Sequence, residues 1–96
     1  MLDTLTHESF APHVGSPFEA RLPERTLRFE LLEVVPSKDE APGRRRPFSL
    51  VFRGPCELYV PQQIVPLEHA ALGKLEIFLV PIGLDAEGYR YEAVFN

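Results

Sequence analysis

Cysteine is almost missing from this chain. Cys56 stands alone among 96 residues, so no internal disulfide forms and no multi-thiolate metal site can be built. No apolar run approaches the ~20 residues of a membrane-crossing helix. The opening MLDTLTHESF carries acidic residues early and has no apolar core long enough for a signal peptide. These absences predict a cytoplasmic chain without a membrane partner. Positive charge is also scarce: 10 Lys and Arg face 14 Asp and Glu, a net charge of −4. That excludes a surface drawn throughout to nucleic acid or anionic lipid and leaves only a local basic patch for such a role. Repeats and low-complexity tracts are lacking too.

What is present is the ordinary balance of a folded domain, 45% hydrophobic and 25% charged residues. The length predicts a single domain over 1–96, because two halves would each be too small to bury a core. Stability is expected to be a few kcal/mol, about that of other small domains.

Leu2, Leu5 and Phe10 are spaced as on a short helix, with Thr4 or Thr6 as N-cap and Glu8 complementing the helix dipole. Pro12, Gly15 and Pro17 end it, giving a helical segment over 1–12. From 17 onward the pattern alternates. Phe18, Ala20 and Leu22 share a face, and PER turns the chain into Leu27, Phe29 and Leu31. Leu32 and Val34 then fall one step out of phase, which predicts a β-bulge near Leu31 and Leu32. PSKDEAPGRRR, residues 36–46, reads as the longest loop. After it Phe48, Leu50 and Phe52 point inward, with Ser49, Val51 and Arg53 outward. Gly54 and Pro55 interrupt the ladder, and CELYVP resumes the alternation with Cys56, Leu58 and Val60. Ile64 and Leu67 anchor a short extended piece, and HAALG reads as one helical turn capped by Gly73. Leu75 to Ile82 is nearly all apolar, which predicts a central strand covered on both faces. LDAEG turns the chain, and Tyr89, Tyr91, Ala93 and Phe95 close it as a strand.

One short helix and about six strands, joined mostly by short turns, predict a mainly β protein. The expected architecture is a small antiparallel six-stranded β-barrel or barrel-like sandwich over 17–96, with the helix packed on one end.

RRPFSLVFRGP, LGKLEIFLVPIG and the closing YEAVFN, together with LTHESFAPHVGSPF near the start, resemble a family of small uncharacterised bacterial proteins, a domain of unknown function. The likeness covers nearly the whole chain. It departs at Gln63 and Val65, where the family has a glycine and a tyrosine, which puts the turn geometry there in question. The resemblance implies no substrate. It does imply company with phage-tail-like surface proteins.

No candidate residue set spells out catalysis or cofactor binding. His7, His13 and His69 are scattered, without metal-ligand spacing. Glu68, His69 and Cys56 make an acid, a base and a nucleophile on paper, the basis of an enzyme or ligand-binding alternative with a pocket near Cys56 and His69. A cysteine flanked by apolar residues in a strand is more often buried and inert. Glu30, Glu33, Glu57, Glu76 and Glu92 fall mostly at outward strand positions, and the glycines form no phosphate-cradling run. Tyr59, Tyr89 and Tyr91 with Arg53 and Arg90 would suit a single-stranded nucleic-acid-binding barrel, a reading that the acidic net charge opposes. Arg44, Arg45, Arg46 and Arg53 are the candidate contacts for a protein partner. The competing reading is that they keep an apolar strand soluble, with Asp39 and Glu40 offsetting their field. The expectation is therefore a non-enzymatic accessory or protein-interaction module without cofactor, able to form a homodimer through exposed strand edges.

Overall fold

The structure is a computed structural model that describes residues 5–38, 43 and 46–96. Asp39, Glu40, Arg44, Arg45 and the helix positions Leu2 and Thr4 lie outside the described residues. Helix α1 spans His7–Phe10 and continues as a 3-10 turn, Ala11–His13. Thr6 precedes it in an extended conformation. Its N–H donates to Ser9 Oγ at 3.0 Å while the Ser9 N–H donates to the Thr6 carbonyl at 2.9 Å, so otherwise orphaned groups of the first turn are satisfied.

Six antiparallel strands follow: β1 Pro17–Arg21, β2 Thr26–Pro36, β3 Phe48–Arg53, β4 Gln63–His69, β5 Gly73–Asp85 and β6 Gly88–Phe95. They close into a barrel in the order β1-β2-β3-β6-β5-β4. Alternation decides the faces, since successive side chains of a strand point to opposite sides. Phe18, Ala20, Leu27, Phe29, Leu31, Leu50, Phe52, Val65, Leu67, Ile77, Leu79, Tyr91 and Ala93 are buried in one cluster. The bulge in β2 sits where the phase slips: Leu31 pairs with Phe52 and Glu33 with Val51, leaving Leu32 as the extra residue.

Strand β5 is long because it serves two neighbours. Gly73–Leu79 pairs with β4 and Val80–Asp85 with β6, and a register shift between Pro81 and Gly83 bends it. The expectation that both faces of this strand are covered is corrected: Phe78, Ile82 and Leu84 are exposed. An apolar run reports hydrophobicity, and here the outward half of it meets no covering layer.

Three further expectations are corrected. CELYVP forms no strand; residues 54–62 return across the barrel end with Val60 buried and Cys56 exposed. HAALG is a hairpin loop rather than a helical turn, with His69 paired to Gly73 across Ala70–Leu72. Gly73 takes φ +79°, the left-handed position that ends such a three-residue loop. Ile64 faces outward and Val65 inward. Val51 is at an outward position as expected, yet is buried, lying in register between Glu33 of β2 and Glu92 of β6.

The two barrel ends are stopped by different elements. At the end where β1 and β3 begin, Phe10 of α1 lies 5.8 Å from Phe48 and 5.7 Å from Phe95, ring centre to ring centre. At the other end, the 54–62 segment sets Val60 against the core, its N–H donating to the Tyr91 hydroxyl at 2.9 Å. Glycines permit that approach. A Cβ on Gly54 would lie 3.0 Å from both Phe29 and Tyr91, and one on Gly88 would lie 2.1 Å from the Gly54 carbonyl oxygen.

Candidate functional site

Chemistry-bearing side chains gather at three places. The first is beside α1. His69, the last residue of β4, is buried, and its ring packs 4.4 Å from Phe18 and 4.5 Å from His13. Its Nδ1 accepts the N–H groups of Ala71 at 3.0 Å and Leu72 at 3.2 Å, the amides of its own hairpin loop. An acceptor at Nδ1 fixes the ring proton on Nε2. Nε2–H therefore donates to Ser16 Oγ at 2.9 Å, and Ser16 Oγ donates to the His13 carbonyl at 2.5 Å.

A serine and a histidine at this distance look like a nucleophile and its base, but the proton is on the wrong side. A general base needs a free Nε2 to take the serine proton, and here Nε2 already carries one. Burial, then the charge on nearby His13, holds the His69 pKa below its ordinary value. The arrangement ties the N-terminal segment to the β4–β5 hairpin. Sequence reading found His69 but missed Ser16, because the two are 53 positions apart and meet only when the barrel closes.

The Cys56–Glu68–His69 grouping is not assembled by any of the contacts these residues make. Cys56 Sγ donates to Glu57 at 3.3 Å, and Glu68 pairs with Arg21 at 2.5 Å. The hydrogen bond to Glu57 and its negative charge push the Cys56 thiol up from its ordinary pKa, which keeps it protonated and weakly nucleophilic. Among the described residues no group of His, Cys, Asp or Glu side chains is placed to hold a metal ion.

The second place is the β5–β6 turn. Asp85 Oδ1 accepts the N–H groups of Glu87 at 2.9 Å and Gly88 at 3.1 Å, while Oδ2 receives Arg90 Nε at 2.8 Å and Arg53 at 3.1 Å. Arg53 also reaches Glu87 at 3.1 Å. The backbone N–H of Glu87, then Arg90 and Arg53, hold the Asp85 carboxyl well below the usual carboxylate range. Arg53, a candidate partner contact, is thus engaged within the chain and only 19% exposed. Arg46 lies at the end of the long loop, immediately before Pro47 and β3. Tyr59 and Tyr89 meet edge to face at 5.4 Å, and the cations expected beside them, Arg53 and Arg90, bind Asp85.

The third place is the outer barrel face. Val35, Phe78, Ile64 and Val94 are 43%, 49%, 60% and 61% exposed. Register joins them across strands: Val35 pairs with Ser49, Ser49 with Val94, and Ile64 with Phe78. Phe78 and Val94 stand two residues from Val80 and Glu92, themselves partners across β5 and β6. Single exposed apolar residues are commonplace, whereas a row of them across several strands marks a contact surface. Among the described residues no helix is long and apolar enough to cross a membrane.

No curated protein and no solved structure matches the chain. The chain belongs to the family of the domain of unknown function DUF6916, whose pattern matches residues 5–95.

Proposed function

We propose that this DUF6916 domain is a non-enzymatic protein-interaction module, an accessory part of a bacterial assembly of the phage-tail-like kind, working in the cytoplasm. The observation that carries the reading is the contrast between a barrel interior packed with Phe18, Phe29, Phe52 and Tyr91 and an outer face that leaves Val35, Ile64, Phe78 and Val94 open. Apolar area left in water is unfavourable by about 25 cal/mol per Å², so its natural use is burial against another chain. The bacterial and phage-tail-like setting is supported by the motifs RRPFSLVFRGP, LGKLEIFLVPIG and YEAVFN, and the exposed free thiol of Cys56 suits a reducing compartment.

A tagged chain expressed in its native host and separated by size under mild conditions tests the reading. Co-elution with a reproducible, stoichiometric protein is expected. Elution at the mass of the free chain under every condition would count decisively against it.

A further inference from the structure

Two candidates fall short of a ligand site. The groove lined by Glu19, Arg21, Arg28, Glu68 and Lys74 mixes both signs of charge, and its closest pair, Arg21 and Glu68, is already matched. The Ser16–His69 pair has its proton fixed on Nε2, as described above. The outer apolar row is different: among the described residues, the charged side chains in register beside it are all acidic, and the cations Lys38 and Arg46 stand beyond its Val35 end.

On one side of the row, Glu33 and Glu92 flank Val51 in register, and Val80 continues that line. On the other side Glu76, partner of Pro66, stands two residues from Phe78. Neither the row nor these two flanking lines holds a lysine or arginine. Among the described residues none of the three carboxylates makes an ion pair: the acids that do are Glu68, Asp85 and Glu87. The opposite side of the barrel matches its charges, with Glu19 in register with Arg28 and Glu68 bound to Arg21. A face that is apolar along its centre and carboxylate at both margins complements a segment built the other way.

We infer that the outer face of β2, β3, β6, β5 and β4 docks a cationic, amphipathic segment of a partner protein, with apolar side chains on Val35, Val94, Phe78 and Ile64 and lysines or arginines on Glu33, Glu76 and Glu92. This rests on the interaction-module reading and adds the location of the contact and the chemistry of the partner. Apolar contact supplies most of the affinity, whereas the margins select sign and speed encounter.

Two measurements test it. In the first, fluorescence anisotropy follows a labelled peptide of lysine and leucine and its glutamate and leucine counterpart. The lysine peptide is expected to bind. Its affinity should fall about tenfold in the Glu33→Gln/Glu76→Gln/Glu92→Gln variant, with loss of most of the salt dependence. In Phe78→Ser binding should largely disappear, while thermal melting shows both variants folded. Equal binding of both peptides, binding of neither, or an unchanged triple variant overturns the inference.

In the second, a photo-crosslinking amino acid replaces Phe78 or, on the opposite side, Arg28, in cells of the native host, and the captured segment is sequenced. Capture from position 78 of a segment rich in lysine or arginine is expected. An acidic segment, a second copy of this chain, or capture only from position 28 overturns the inference and leaves the interaction reading standing. Absence of capture from either position, together with elution as a free chain, overturns both.

Discussion

At one end of the barrel Phe10, Phe48 and Phe95 form an aromatic stop, and a neutral His69 ties Ser16 and the chain around it to the β4–β5 hairpin. At the other end a close glycine contact, one buried tyrosine hydroxyl and an ion-pair cluster hold the 54–62 segment and the β5–β6 turn. Both ends keep water from the same core. They are expected to differ in the conditions that loosen them: mild acid at the first, where a neutral His69 accepts hydrogen bonds, and salt or stronger acid at the second, where Asp85 is ion-paired.

The largest expected effect is at the aromatic stop. Phe10→Ala removes a fully buried ring and should cost about 3–5 kcal/mol, read as a fall in the urea midpoint. Its counterpart is Gly88→Ala, whose methyl must force back the Gly54 carbonyl at a φ of +154°. Strain and displacement together should cost about 3 kcal/mol in the same titration. If Gly88→Ala proves neutral, the glycine contact does not close that end.

Tyr91→Phe is expected to be smaller. It strands the buried Val60 N–H, a loss of about 1–3 kcal/mol, and hydrogen exchange should show the Val60 amide opening before those of α1.

The smallest effect separates the ends by pH. The His69 pKa lies below its ordinary 6.5, so the unfolded chain takes up a proton first. Stability is therefore full above about pH 6.5 and declines as pH falls below it. Protonation places a hydrogen on Nδ1 opposite the Ala71 and Leu72 amides. A thermal melt followed from about pH 7.5 to about pH 5.5 should fall in the native chain and flatten in His69→Asn. Asp85 behaves differently: its pKa lies below 3.8, so its contribution is present above that value and is lost only in stronger acid. If the His69→Asn variant keeps the native slope, the difference in acid response does not originate at this hydrogen bond.

Most of the barrel was legible because alternation states which residues face inward, and the phase slip at Leu32 announced the bulge. Alternation does not state which strand lies alongside. Cys56, Leu58 and Val60 keep the pattern without a ladder, since Gly54, Pro55 and Pro61 bound a segment that crosses the barrel end. Phe78, Ile82 and Leu84 were legible as apolar but not as uncovered. The outward glutamates were visible one by one, but their shared margin depends on register among five strands. Ser16 carried no local signal at all.

Phe10 and Phe95 touch, so the helix that opens the barrel and the strand that finishes it leave from the same side. Displacing the helix would therefore uncover Phe48 and Phe95 together, so the early helix and the final strand gain and lose their order as one unit.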